Sequence, residues 1–252
     1  MIYILLSIIG AVFGSFFLVV GLRLPKEEPF AFERSHCDNC KHVLSWYELI
    51  PIFSYLFLGG KCRKCGSKIP LYTLLIEVIT GALFCLGYYL YSFSYEFYAF
   101  LTISSLAIII FVSDFKYFII NDSPLFISIA AIIILKYIYF GLNPTLYAIA
   151  SGLVLFATFF LVKLFGDKAF KKESLGGGDI KLSILIGVVL GIKLGLTAFI
   201  LSAFLALPYA IIVSLSKKND LVPYGPFLIF SLVIVFIFMS QFESLLHLLF
   251  MY

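Results

Sequence analysis

The chain has 252 residues, of which 62% are hydrophobic and 13% charged, with a mean hydropathy of +1.09. An ordinary soluble domain is about 45–50% apolar and about 25% charged, so a soluble enzyme is excluded, as are disorder, collagen and coiled coil. The formal net charge of +4 is small, so the placement of the charges says more than their sum, and no nucleic-acid partner is expected.

Apolar runs of about 17–25 residues read as membrane-spanning helices. In chain order they cover residues 2–22, 71–93, 97–113, 124–140 and 145–165. Residues 180–215 are too many for one span, and Gly191-Ile192-Lys193-Leu194-Gly195 divides them in two. Residues 227–250 form the last. The runs are continuously apolar rather than alternating, which argues against an outer-membrane barrel. The expected fold is therefore an all-α polytopic membrane protein with about eight transmembrane helices. The first run has no basic residue before it and no small-residue cleavage site, so it reads as a retained helix rather than a signal peptide.

Basic residues orient the helices, because they concentrate in cytoplasmic loops. Sixteen of the 18 Lys and Arg fall on one side, in residues 23–70, at Lys116, around 163–181 and at Lys217 and Lys218. Only Lys136 and Lys193 fall toward the other. The expectation is a chain with both termini outside and these loops in the cytoplasm. It divides into a first helix (1–22), a cytoplasmic cysteine loop (23–70) and a seven-helix domain (71–252).

That loop holds Cys37-x-x-Cys40 and Cys62-x-x-Cys65. A C-x-x-C turn lets two thiolates converge on one ion, and two such turns make a closed four-sulfur zinc site. Thiols stay reduced in the cytoplasm, so disulfides are not expected. The competing reading is two redox or incidental cysteine pairs. His36 and His42 flank the first pair and read as surface residues, since four thiolates already fill a tetrahedral site. Cys85 lies within a span and reads as an apolar filler.

Ionisable groups at membrane depth are functional candidates by default. Asp114 ends the apolar third span, and Asp179 opens the sixth after Gly176-Gly177-Gly178. Those spans run in opposite directions, so both carboxylates reach the same membrane boundary. Two close carboxyl groups can share a proton, one activating a water and the other protonating the scissile group. The glycines would let the backbone approach a peptide substrate. The alternatives are a helix-end cap at each Asp in an ordinary transporter, a proton-coupled transporter that uses Asp114 and Asp179 as a relay, or a zinc-knuckle membrane scaffold with no chemistry. Asp122 precedes Ser123-Pro124 and reads as a helix cap. Asp167 reads as a residue of a solvated loop.

Gly176-Gly177-Gly178-Asp179 matches the G-x-G-D signature of membrane aspartyl proteases, and with Ile180-Lys181-Leu182 it resembles a segment of bacterial prepilin leader peptidases. Gly14-Ser15-Phe16, Arg23-Leu24-Pro25, the cysteine pairs, Glu77-Val78-Ile79-Thr80-Gly81 and Pro223-Tyr224-Gly225-Pro226-Phe227 are similar to that family's motifs, in order along nearly the whole chain. Leu18 stands where the family often has Asn, Asp38 where it often has Pro, and Asn121 where a Pro commonly precedes the second acid. The resemblance implies a type IV prepilin or pseudopilin as substrate, cleaved at the cytoplasmic face of the bacterial cell membrane. It also implies N-methylation of the new N-terminus by S-adenosylmethionine. The sequence has no Gly-x-Gly-x-x-Gly loop, so that second activity rests on the resemblance alone. Glu77 reads either as a binder of the new N-terminal ammonium or as a carboxylate satisfied by a neighbouring helix.

Overall fold

The computed structural model describes residues 1–29, 34–171, 175–215 and 222–250. Lys172, Lys217 and Lys218, three of the basic residues used to orient the chain, lie outside them. Among the described residues there is no β-strand, and nine α-helices carry the fold: α1 (Ile2–Arg23), α2 (Phe53–Phe57), α3 (Leu71–Tyr91), α4 (Tyr95–Tyr117), α5 (Asp122–Phe140), α6 (Leu142–Phe170), α7 (Gly177–Leu215), α8 (Gly225–Ile237) and α9 (Met239–Phe250). Six helices are long and apolar enough to cross a bilayer, and a bent pair, α8 with α9, makes a seventh candidate. Contacts divide the chain into two units, Met1–Phe97 and Tyr98–Tyr252.

In the first unit α1 packs along α3. A Cβ on Gly10 would lie 2.8 Å from the Gly81 Cα. In lipid, helices gain little from hydrophobic burial, so small residues that allow close packing hold such pairs together. The extramembrane segment between them contains two 3-10 turns, Leu24–Lys26 and Trp46–Leu49, and the short α2.

In the second unit α7 is central and packs against α5, α6 and α8. The α6–α7 contact again depends on small residues, since a Cβ on Gly187 would meet the Gly152 Cα at 2.6 Å. The expected division of 180–215 falls at Gly191, whose φ of +77° interrupts an otherwise continuous helix. Residues 177–190 rise only about 21 Å, less than the roughly 30 Å hydrocarbon core, so counting this piece as a full span is what makes eight. Just before the break, Lys136 donates to the Val189 carbonyl at 3.4 Å. A cation at a helix C-terminus is well placed, and this accounts for a lysine on the sparsely charged side.

The last apolar run is not one straight helix. α8 stops at Ile237, and α9 leaves it at 87°. No Gly or Pro marks the bend, so no residue there signals it locally. α4 runs three residues past Asp114, which is therefore one turn inside its helix rather than at the end.

Candidate active site and cysteine cluster

α4 carries Asp114 on its last turns, and α7 carries Asp179 in its first turn. Both side chains are buried, with 5% and 7% of each residue exposed. The two carboxylates interact electrostatically. Asp114 Oδ2 accepts a hydrogen bond from the Gly225 N–H at 3.1 Å, at the start of α8. The Gly176 backbone lies beside the Asp179 carboxylate. Its Oδ1 is buried and has no hydrogen-bond partner among the described residues. Burying a carboxylate oxygen unsatisfied is costly, so this atom is an acceptor free to bind a donor that enters the site.

Ile120 closes the arrangement. Phe118, at φ +56°, turns the chain after α4, and Ile120 folds back between α7 and α8. A Cβ on Gly178 would meet the Ile120 Cβ at 2.8 Å, and one on Gly225 would meet Ile120 Cδ1 at 2.6 Å and Asp114 Oδ2 at 2.9 Å. A Cβ on Gly176 would lie 2.9 Å from Asp179 Oδ2, whereas Gly177 faces open space. The three glycines are thus not equivalent. Two border the acids or their packing, and the third leaves backbone accessible.

Asp122 is not a cap. The residue before α5 is Asn121, and no side-chain cap bond forms there. Asp122 instead takes both oxygens to Lys181 Nζ, at 2.8 and 2.7 Å, in an exposed ion pair. Asp167 is not in a loop either, since α6 continues through it. Both lie in the second unit, yet only Asp114 and Asp179 are buried together.

In the first unit the four cysteines form two matching knuckles. The bridges His36–Val43 and Lys61–Lys68 close them. In each, the first cysteine N–H bonds forward across the turn, Cys37 to the His42 carbonyl and Cys62 to the Ser67 carbonyl. A left-handed residue follows each second cysteine, Lys41 at φ +56° and Gly66 at +70°. The four Sγ atoms lie within 4.8 Å of one another, as a shared metal ion requires. Cys37–Cys65 and Cys40–Cys62 are 3.8 and 3.9 Å apart. The Ser67 hydroxyl and N–H bring the Cys65 thiol down to about 6. At Cys40 the His42 backbone pulls the other way, but burial and the neighbouring thiols outweigh it and push the thiol up to about 11.

Residues 8–91 match the family model of the bacterial peptidase A24 N-terminal domain, and residues 100–211 that of the type IV leader peptidase family. A prepilin leader peptidase/N-methyltransferase of Vibrio cholerae is 34% identical over 248 residues, covering 92% of this chain and 95% of that protein. One from Bacillus subtilis is 32% identical over 231 residues, covering 88% of each. The chain belongs to the prepilin leader peptidase family. No solved structure matches it.

Within this family assignment, the two matched regions each hold one of the clusters described above. Asp114, Asp179 and the glycine run lie in the leader peptidase region, and all four cysteines lie in the N-terminal one. Glu77 is also in the N-terminal region, 5% exposed, and accepts the Ile52 N–H at 2.7 Å with Ser15 as a second neighbour. Two participants were not legible as such. Gly225 and Ile120 act through tertiary contacts, and only the Tyr224-Gly225-Pro226 turn hinted at the first. Tyr224 adds a 2.5 Å bond between its hydroxyl and that of Ser202, which ties the start of α8 to α7.

Proposed function

We propose that this chain is a membrane aspartic endopeptidase that removes the leader peptide of a type IV prepilin or pseudopilin and then N-methylates the exposed residue. Asp114 and Asp179 are the acid–base pair. The observation that carries this reading is a buried pair of carboxylates from two helices, one of them with an unsatisfied oxygen. We assign the Asp179 Oδ1 to the water that attacks the scissile carbonyl. Asp114, with Oδ2 held by the Gly225 N–H, donates the proton that the carbonyl oxygen or leaving amine needs. Gly176, Gly177 and Gly178 present backbone to the extended leader. The transporter reading gives the glycine run and the cysteine cluster no task.

The cysteine cluster is assigned to one structural zinc. An ion with Zn–S bonds of about 2.3 Å has tetrahedral edges of roughly 3.8 Å, close to the two Sγ separations. Four thiolates leave no open position, so the cluster holds the loop in shape and takes no part in hydrolysis. For methylation, S-adenosylmethionine supplies an electrophilic methyl group. Glu77 is the carboxylate we assign to the new N-terminal ammonium, because it is a buried anion in an apolar span, oriented there by the Ile52 N–H. No residue of this chain is assigned to the donor, since the sequence has no Gly-x-Gly-x-x-Gly loop for it.

The basic-residue asymmetry supports a bacterial cell membrane location with the dyad at the cytoplasmic boundary, where a basic leader waits. The functional division is the first helix 1–22, the cysteine loop 23–70 and the peptidase domain 71–252. The test is cleavage of a reconstituted prepilin by the purified chain. Asp114→Asn and Asp179→Asn should each lower the rate by on the order of 10²–10⁴-fold while leaving helicity intact. Undiminished cleavage by either variant would refute the pair.

A further inference from the structure

Residues 46–58 form the most apolar stretch of the segment between α1 and α3, and Glu48 is their only charge. The Glu48 side chain is 1% exposed and accepts the Ser45 N–H at 2.8 Å, which turns its charge inward. The opposite holds for Trp46, Phe53, Leu56 and Phe57. They are 57–87% exposed. On a soluble loop such a cluster would mark a binding surface.

Depth identifies the partner. The chain reverses at Ile52, whose φ of +66° separates the Trp46–Leu49 turn from α2. The Ile52 N–H bonds to Glu77, the seventh residue of α3. At about 1.5 Å per residue, that point lies roughly 9 Å inside the helix. Ser15, the other neighbour of the Glu77 carboxylate, lies eight residues before the end of α1, roughly 12 Å in by the same rise. Pro51 and Ile52 also line one apolar cleft with Ala11 and Cys85, farther along both spans. Non-helical backbone is tolerated at such depth only where the protein satisfies its polar groups. Glu77 supplies that acceptor.

We propose that residues 46–57 form a re-entrant hairpin inserted into the lipid bilayer beside α1 and α3, with the Glu77 carboxylate holding its apex. The partner is lipid, not a second protein. Trp46 lies at the level where Trp is enriched, the interface between headgroups and acyl chains. After the hairpin, Gly59 and Gly60 lead to Lys61, Arg63 and Lys64, cations suited to the headgroup layer. This inference does not depend on the peptidase reading.

Trp46 is the only tryptophan, so the unmodified full chain reports on itself. It is 76% exposed within the protein, and shielding must therefore come from outside the chain. In vesicles of phosphatidylcholine and phosphatidylglycerol, its emission should be blue-shifted and insensitive to iodide, and most of it should be lost when the lipids carry brominated acyl chains. Iodide quenching without bromolipid quenching would overturn the insertion, and so would shielding without bromolipid quenching, which would mean a protein partner. A Trp46→Phe, Phe53→Trp chain then reports on the apex. Adding Glu77→Gln, which keeps an amide oxygen as acceptor, should leave that emission shielded, whereas Glu77→Leu should expose it to iodide. Equal shielding in the Glu77→Leu chain would overturn the anchoring role.

Discussion

The Gly225 N–H meets the Asp114 carboxylate at 3.1 Å although 111 positions separate the two residues. The same glycine could not carry a side chain, because its Cβ would lie 2.9 Å from the carboxylate oxygen and 2.6 Å from Ile120. Gly225→Ala should therefore displace Asp114 without unfolding the unit. A displacement near 1 Å costs on the order of 10²-fold in rate. Cleavage kinetics on a prepilin, with helicity as the control, would measure this. A rate within a factor of a few of the parent would show that Ile120 yields instead.

Asp122 and Lys181 are paired across α5 and α7, but both are exposed at 53% and 40%. Exposed pairs contribute about 0–1 kcal/mol. Asp122→Asn should accordingly reduce cleavage by about tenfold or less, far short of the loss at Asp114 or Asp179. The exchange Asp122→Lys with Lys181→Asp should recover part of it. A dead Asp122→Asn enzyme would move the acid–base role to Asp122.

The cysteine cluster should lose zinc as acidity rises, and the sign follows from Cys65. Its thiol is lowered to about 6 by Ser67, so it is a thiolate above that pH and takes a proton below it. Metal binding needs the thiolate. Affinity therefore already meets proton competition at Cys40, whose thiol is held up to about 11, and falls more steeply once pH drops through about 6 and Cys65 also takes a proton. Ser67→Ala should move this loss to higher pH, read as zinc release to a chelating dye. A midpoint unchanged by Ser67→Ala would remove Ser67 from the account.

Gly187 and Gly152 bring α6 and α7 into backbone contact. Gly187→Ala would place a methyl 2.6 Å from the Gly152 Cα and the Ser151 carbonyl, neither of which is a flexible side chain. Overpacking of this kind costs about 1–3 kcal/mol. Thermal unfolding in detergent should show a lower midpoint, with cleavage falling in proportion to the folded fraction. An unchanged midpoint would mean that the helices separate without cost.

The spans, the break at Gly191 and the two acids were legible because each leaves a local mark: a long apolar run, a glycine inside it, or a charge at its edge. The cysteine knuckles were legible from spacing for the same reason. The roles of Asp122 and Asp167 are not legible in the residues around them. A cap and an ion pair look alike until Lys181 is brought near, and Gly166-Asp167-Lys168 resembles a loop until α6 is seen to continue through it. The bend at Phe238 has no Gly or Pro to announce it. The Ile52 partner of Glu77 was invisible because 25 residues separate them, and nothing in the loop pattern says how deeply it folds back.

The bond between Gly225 and Asp114 also sets a timetable. A ribosome adds about 5–20 residues per second, so Asp114 is made roughly 5–20 s before its partner. Asp179 follows Asp114 after 65 residues, so for only the last part of that interval, roughly 2–9 s, do both acids exist without the donor that orients one of them. On the proposed reading, a nascent chain that has inserted α4 and α7 still lacks an ordered acid pair, and cleavage should await the delivery of α8.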